Sequence, residues 1–246
     1  MACPAFYHYD PRFRVALYGQ RKLNNRALAN SFKVESNKIC LIKAASDHTH
    51  PGFGEVKPPK YGKFNSYEWD IYADATILIE NGSCAAMFTA DCCGLAVYEA
   101  SQHILGFAHC GRGAMTPQNK PGEEIDNVVS RLIKTMSKKA KHTPRFTAVT
   151  TGSICPKHFT HDYPEAQKLI EPFKQFGPIA FGNEERGELN IPSIVREQLI
   201  SLGVKIDNIF HDNLCTYENP LLFSYRQACH EDLDRSKRNA LIVTLN

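Results

Sequence analysis

Reactive side chains are densest in two short runs, Thr89-Ala90-Asp91-Cys92-Cys93 and Ala108-His109-Cys110-Gly111-Arg112-Gly113. They set a thiol, Cys92, and an imidazole, His109, 17 positions apart (109 − 92), with strand-like apolar sequence between them. Such a pair is either half of a zinc site or a nucleophile with its base. An isolated Cys in an apolar strand is more often a small buried hydrophobe. Here the context argues otherwise, because Asp91 precedes the thiol and Gly-Arg-Gly follows the imidazole. Glycine lets a ligand approach the backbone, and Arg112 offers a fork to phosphate or carboxylate. A second source of imidazole, His48-Thr49-His50, stands at the end of a separate apolar segment. Alternate residues on a strand face the same way. One ligand is expected from this pair, His50 in preference to His48. Two imidazoles and a thiolate with a fourth position open is how a catalytic zinc is held.

The elements that must position these groups are short strands with a few helices. Phe13 to Tyr18, Ile39 to Ala44, Ala75 to Glu80, Ala85 to Phe88, Leu95 to Glu99 and Ile104 to Ala108 read as strands. So do Phe146 to Thr151, Ile209 to His211 and Ala240 to Leu245. Asn81-Gly82 predicts a hairpin turn. Helical spacing predicts helices over Leu23 to Phe32, Ile125 to Ala140, Tyr163 to Phe176 and Ile191 to Leu202, the last closed by Gly203. Pro51 to Trp69 is rich in Gly, Pro and Lys and reads as a long loop.

Composition narrows the class. At 246 residues and 43% hydrophobic, the chain is an ordinary globular sequence without repeats or a linker-like break. A net charge of +3 and a pI near 8.3 fall short of the clustered basicity of nucleic-acid binders. The basic run from Lys134 to Lys141 falls at a predicted helix end, where it complements the macrodipole. Nine cysteines are an odd number, and no signal-type or membrane-length apolar run accompanies them. A reducing, cytoplasmic setting is expected, with thiols buried or functional.

Five motifs, in order, resemble the laccase-domain or YfiH family, whose members carry the names polyphenol oxidase and purine nucleoside phosphorylase with adenosine deaminase activity. Tyr72-Ala73-Asp74-Ala75 and Thr89-Ala90-Asp91-Cys92 are similar to its ADA and TADC motifs. Ala108 to Gly113 resembles HAGWRG, and Thr151 to Pro156 resembles GPxIGP. Asn213 through Arg226, with Arg238 beyond, is similar to its CT…FSYRR ending. The departures are a missing Trp before Arg112, Gly94 in place of a proline, and absent amino-terminal GG-x-S and N-L segments.

The resemblance implies one domain over residues 1–246, an α+β fold in which mixed β-sheets pack face to face with flanking helices. The mixture of short strands, turn signals and helices without regular βαβ alternation agrees with it. It further implies zinc held by His48 or His50, Cys92 and His109, with Arg21, Arg112 and Arg226 contacting substrate or phosphate. Tyr225 or Phe223 is expected to stack on a base. The implied partners are a purine nucleoside and phosphate, with no nucleic acid and no membrane. The implied activity is zinc-dependent phosphorolysis with adenosine deaminase-type chemistry, Cys92, His109 and Arg112 forming the catalytic group. Two alternatives stand beside it: a Cys-His thiol hydrolase or deamidase using Cys92 and His109, and a degenerate, zinc-stabilised binding protein. Multi-copper oxidation needs about four coppers and many imidazoles, whereas this sequence has one His-x-His pair among ten histidines. Copper is therefore the less expected metal.

Overall fold

Side-chain alternation along the apolar segments separates the layers of this protein. The computed structural model describes residues 4–19, 34–45, 54–61, 69–120, 122–140 and 142–246. The helix predicted over Leu23 to Phe32, together with Arg21, His48 and His50, lies outside the described residues. In chain order the strands begin with β1 (Phe6–Asp10), β2 (Phe13–Tyr18), β3 (Ile39–Lys43), β4 (Val56–Lys57), β5 (Ile71–Tyr72) and β6 (Ala75–Leu78). They continue with β7 (Cys84–Thr89), β8 (Cys93–Glu99), β9 (Ile104–Cys110), β10 (Phe146–Thr151), β11 (Ile209–His211) and β12 (Asn239–Leu245). The helices are α1 (Arg112–Met115), α2 (Val128–Lys139), α3 (Pro164–Ile170), α4 (Ile191–Ser201) and α5 (Tyr225–His230).

Two mixed six-stranded sheets result, β1-β2-β12-β7-β3-β5 and β11-β10-β8-β9-β6-β4. On β12, Leu241, Val243 and Leu245 face the second sheet, while Ala240 and Ile242 face outward. The inward set meets Phe13, Leu17 and Met87 of its own sheet and Tyr98, Leu105 and Phe107 of the other. The far side of the second sheet is covered by α2, α4 and their neighbours through Val129, Leu132, Ile133, Ile194 and Leu199. The resulting α+β sandwich is the expected fold class. Strands buried on both faces explain why β8, β9 and β12 read as nearly continuous apolar runs.

Local chemistry moves several boundaries. The predicted helix from Ile125 begins at Val128 because Asn127 is its N-cap, its side chain accepting from the amides of Val129 and Ser130 while Ser130 Oγ accepts from the Asn127 amide. The predicted helix over Tyr163 to Phe176 stops at Ile170 and continues as a 3-10 stretch, Glu171–Ala180, broken at Gly177 with φ +71°. Asn81-Gly82 is a turn but not a hairpin. β6 and β7 belong to different sheets, and Gly82 instead donates to the Leu245 carbonyl of β12 at 2.7 Å. At Gly94 of β8 the other sheet fills the space of a side chain: a Cβ there would lie 1.8 Å from Leu241 Cδ2. The position where the family resemblance expected proline is therefore a glycine imposed by packing.

The register of β8 and β9 then brings the two reactive runs together. Cys93 pairs with Cys110 and Gly94 with His109. Cys92, just before β8, and His109, near the end of β9, consequently share one end of the second sheet.

Candidate metal and anion site

Burial sets four of the described cysteines apart from Cys92. Cys40 and Cys84 are pushed up to about 12 by desolvation, and Cys93 and Cys110 are raised further by the same cause. They are core side chains. Cys92 is half-buried and borders a cavity of about 610 Å³, together with His109, Arg112, Arg226 and Tyr225.

Gly111 defines the meeting point of the two donors. A Cβ at this residue would sit 2.9 Å from His109 Nε2 and 3.1 Å from Cys92 Sγ. The sulfur and the ring nitrogen thus converge on space that only glycine leaves open. Behind the ring, Nδ1 lies 3.4 Å from Asp74 Oδ1, and the His109 amide donates to the Asp74 carbonyl at 2.8 Å. Asp74 is fully buried and its other oxygen accepts from the Gly54 amide at 2.7 Å. A carboxylate behind an imidazole fixes its orientation and raises its basicity as a metal ligand. Burial alone would lower the His109 pKa, but the charge of Cys92 and the Asp74 carboxylate outweigh it and raise it to about 10. A thiol and an imidazole converging on a glycine-sized space, backed by a buried carboxylate, fit zinc.

His48 and His50 lie outside the described residues, yet both ends of their segment reach this site. Ala44 lines the cavity, and Gly54 is bonded to the carboxylate behind His109.

The guanidiniums of Arg112 and Arg226 line the same cavity, as does Arg238. Arg112 opens α1, with Gly111 as its N-cap, rather than sitting in a turn. Its Nη1 donates to His161 Nε2 at 2.8 Å. That assignment follows from His161 Nδ1, which faces the carbonyls of Phe159 and Gly187 at 3.1 and 3.0 Å and so carries the proton. Burial, helped by Arg112 and Arg226, holds the His161 pKa down to about 4, so the ring accepts as a neutral group. Arg226 Nη1 donates to the Thr160 carbonyl at 2.9 Å, and its guanidinium lies 5.0 Å from the centroid of the Phe159 ring. Burial first, and then the charge of Arg226, lower the Arg112 pKa. Among the described residues neither guanidinium forms an ion pair with a carboxylate. Arg112, Arg226 and Arg238 line this cavity together with Asp91, and a guanidinium that keeps free N–H groups there can offer a fork to an anion.

Asp91 ties these parts together. It holds φ at +72°, a conformation that Asp tolerates better than most residues. Its Oδ1 accepts from Thr216 Oγ1 at 2.6 Å, and its Oδ2 accepts from the Arg226 amide at 2.8 Å. Its carbonyl accepts from the Ile154 amide at 3.0 Å. Tyr225, 43% exposed, lines the cavity, whereas Phe223 is buried beneath it and is not among the lining residues. Of the two aromatic residues expected at a base, only Tyr225 is available.

Sequence reading did not single out His161, the supporting role of Asp74 or the clamp at Asp91. Asp74 and Asp91 sit inside the two Ala-Asp motifs, which was the available signal. A second donor group was also missed: Cys155, His158 and Glu218 place three ligand atoms within 4.8 Å of one another. Among the described residues, no helix is long and apolar enough to cross a membrane.

The fold recurs in solved structures. The hypothetical protein YfiH of Bacillus licheniformis superposes with a TM-score of 0.73 at 15% identity, over 95% of this chain and 93% of that one. YlmD from Geobacillus stearothermophilus gives 0.74 at 16% identity, over 96% and 93%. The Neisseria meningitidis protein NMB0706 gives 0.64 at 13% identity, over 96% of each chain. No curated protein matches in sequence. The family described as multi-copper polyphenol oxidoreductase laccase matches residues 20–244, nearly the whole chain. With that span and the motifs gathered around one cavity, this chain belongs to the laccase-domain family that also contains the YfiH-like fold.

Proposed function

We propose that this chain is a zinc-dependent purine nucleoside phosphorylase with adenosine deaminase-type activity, acting in the cavity between Cys92 and Arg226. The observation that carries the reading is the juxtaposition of two kinds of group. The Cys92 and His109 donors converge at Gly111, and the Arg112 and Arg226 guanidiniums, which form no ion pair among the described residues, line the same cavity. The family resemblance supplies the nucleoside as substrate class. Cys92, His109 and one of His48 and His50 would hold the zinc, which when bound supplies Lewis acidity and a water acidic enough to react at neutral pH. Arg112 and Arg226 bind and orient phosphate, and His161 holds one Arg112 N–H while leaving the others to the anion. Tyr225 offers a ring to the purine. In phosphorolysis a phosphate oxygen bonds to C1′ of the ribose as the bond to the purine nitrogen breaks, and the purine leaves with a proton. In deamination water adds at C6 of the purine and ammonia leaves. Purified protein incubated with adenosine, inosine and methylthioadenosine, with and without phosphate, is expected to release free base only with phosphate. Release of neither base nor ammonia from any of the three, by zinc-loaded protein, would overturn the proposal.

A second reading is favoured by one feature, the chain Cys92–His109–Asp74, in which an imidazole lies between a sulfur and a buried carboxylate. It supports a thiol hydrolase or deamidase with Cys92 as nucleophile, His109 as base and Asp74 as the orienting group. Metal analysis separates the two. Cys92→Ala protein carrying one zinc fewer than wild type favours the first, since a thiolate on zinc is not free to attack. Equal zinc in both proteins, with Cys92 open to alkylation, favours the second.

A further inference from the structure

The two turns that follow β10 and β11 have the same design. These strands pair in parallel, Thr150 opposite His211, so the chain leaves the sheet at the same end both times. Four positions beyond each strand comes a cysteine, Cys155 after Thr151 and Cys215 after His211. Each cysteine begins a tight turn closed three residues later. The His158 amide donates to the Cys155 carbonyl at 3.1 Å, and the Glu218 amide donates to the Cys215 carbonyl at 3.2 Å. Side chains three apart in such a turn project to the same side. The sequence therefore carries Cys155-x-x-His158 on one turn and Cys215-x-x-Glu218 on the other. The turns are docked face to face: the Cys155 amide donates to Cys215 Sγ at 3.2 Å, and the Thr216 amide donates to the Ser153 carbonyl at 3.0 Å.

We propose that Cys155, His158, Cys215 and Glu218 form a second metal site, separate from the cavity at Cys92, that takes a thiophilic divalent cation of the zinc type. Two sulfurs, an imidazole and a carboxylate are a borderline-soft donor set suited to zinc. The ligand atoms of Cys155, His158 and Glu218 already lie within 4.8 Å of one another. Neighbouring ligands around a tetrahedral zinc are ~3.3–3.8 Å apart, as follows from metal–ligand distances of ~2.0–2.3 Å. Side-chain rotation closes that difference. His158 Nε2, the nitrogen aimed inward, lies 3.1 Å from Glu218 Oε1, and a metal takes the place of the proton between them. The Tyr217 ring stacks on His158 at 4.0 Å and 8°, fixing the plane of the imidazole as supporting groups around metal sites do. Lys157, whose Nζ lies 2.6 Å from Glu218 Oε1, is a surface side chain at 67% exposure and swings away when the cation arrives.

Such a metal pins the chain ends of β10 and β11 to each other and has a consequence for the main cavity. Ser153 and Ile154 line both that cavity and a smaller one of about 350 Å³ bordered by Cys155 and Cys215. Thr216, between the proposed ligands Cys215 and Glu218, donates to Asp91 beside Cys92. The second site therefore braces the wall that carries the Asp91 clamp.

The test uses full-length Cys92→Ser protein, stripped of metal and kept reduced, so that no thiolate of the main cavity contributes. Titration with cobalt(II) is expected to produce thiolate-to-cobalt charge-transfer absorption that saturates at one equivalent and is displaced by zinc. Adding Cys155→Ser or Cys215→Ser should abolish most of the band. Glu218→Gln should keep it but weaken cobalt binding about tenfold or more, in the range seen when metal-site partners are altered. Should the serine variants fail to fold, His158→Ala, a change at a half-buried turn, shifts the band and the affinity if the site is real. Absence of the charge-transfer band in folded, reduced Cys92→Ser protein would overturn the proposal. So would an undiminished band in the Cys155→Ser and Cys215→Ser proteins, or unchanged cobalt binding by His158→Ala.

Discussion

Asp91 offers the sharpest test of how the cavity is assembled, because three effects at one residue separate by substitution. In Asp91→Ala the Thr216 hydroxyl and the Arg226 amide both lose their acceptor. Thr216 is fully buried, so its hydroxyl cannot turn to bulk water. A hydrogen bond to a charged acceptor contributes ~1.5–3 kcal/mol, so two such bonds amount to about 3–6 kcal/mol. Alanine at φ +72° adds left-handed backbone strain of about 1 kcal/mol. Asp91→Gly loses the same two bonds but escapes the left-handed strain, and should be about 1 kcal/mol less harmful than alanine. Asp91→Asn keeps both contacts: its amide oxygen accepts from the Arg226 amide, and its NH₂ donates to Thr216 Oγ1 once that hydroxyl rotates. It loses charge assistance and turns the buried Thr216 O–H away from its acceptor, together about 1–3 kcal/mol. The expected order of destabilisation is Asn, then Gly, then Ala. Urea unfolding with a constant m-value measures it directly. Alanine costing less than about 1 kcal/mol, or glycine more harmful than alanine, would refute the reasoning that buried charge-assisted bonds and left-handed strain govern this position.

Other expectations follow from the same geometry. Arg112→Lys should leave zinc in place but flatten the phosphate dependence of nucleoside cleavage, because an ammonium cannot reproduce the guanidinium fork. The loss should be about 2–4 kcal/mol of transition-state stabilisation, and phosphate curves identical to wild type would remove Arg112 from the site. His161, held down to about 4 from an ordinary 6.5 by burial, binds its proton more readily in the unfolded chain. Its contribution is complete above about pH 6.5 and drains away as pH falls towards 4, by at most about 3 kcal/mol at 1.36 kcal/mol per pKa unit. Unfolding midpoints across this window should fall more steeply in wild type than in His161→Gln, and parallel curves would exclude that role. Gly94→Ala pushes a Cβ into Leu241, an overpacking that should cost about 1–3 kcal/mol. A melting temperature unchanged from wild type would show that the sheets part freely there.

The strands were legible because each carries its signal locally. Phe13 to Tyr18 and Phe146 to Thr151 are read from apolar content alone, and the structure agrees to the residue. Pairing was not legible in the same way. Asn81-Gly82 adopts the expected turn, yet the strands on either side enter different sheets, because β7 finds its partners in β3 and β12. A turn signal reports backbone geometry and says nothing of which edge the next strand meets. Cys92 and His109 were found from residue type and spacing, since one strand pairing separates them. The groups that support them were not, because those contacts are long-range. Asp91 reaches Thr216 and Arg226, 125 and 135 positions away, and Arg112 reaches His161, 49 away. The matching Cys-x-x-His and Cys-x-x-Glu turns were present in the sequence, but only the parallel register of β10 and β11 brings these two four-residue segments side by side.

The family's description raises a chemical question on which the placement of imidazoles bears. Multi-copper oxidation needs about four coppers and a dense set of histidine ligands. This chain has ten histidines, and most of the described ones are engaged far from Cys92. His8 packs on Phe13 and Phe210, and His103 bonds the Tyr98 hydroxyl and the Asn246 carbonyl oxygen. His211 bonds Thr150, and His230 meets the Tyr217 hydroxyl. His158 faces Glu218 on the other turn. His161 is near the cavity, but its Nδ1 is turned to backbone carbonyls and its Nε2 is taken by Arg112. That leaves His109 and the exposed His142 among the described residues, with one further ligand expected from His48 and His50. Two imidazoles and one thiolate are the donor set of a single mononuclear centre. The same cavity is lined by three arginines, Arg112, Arg226 and Arg238, against one carboxylate, Asp91. The donor set and the charge both favour binding a phosphate beside one Lewis-acidic ion over passing electrons through a copper cluster.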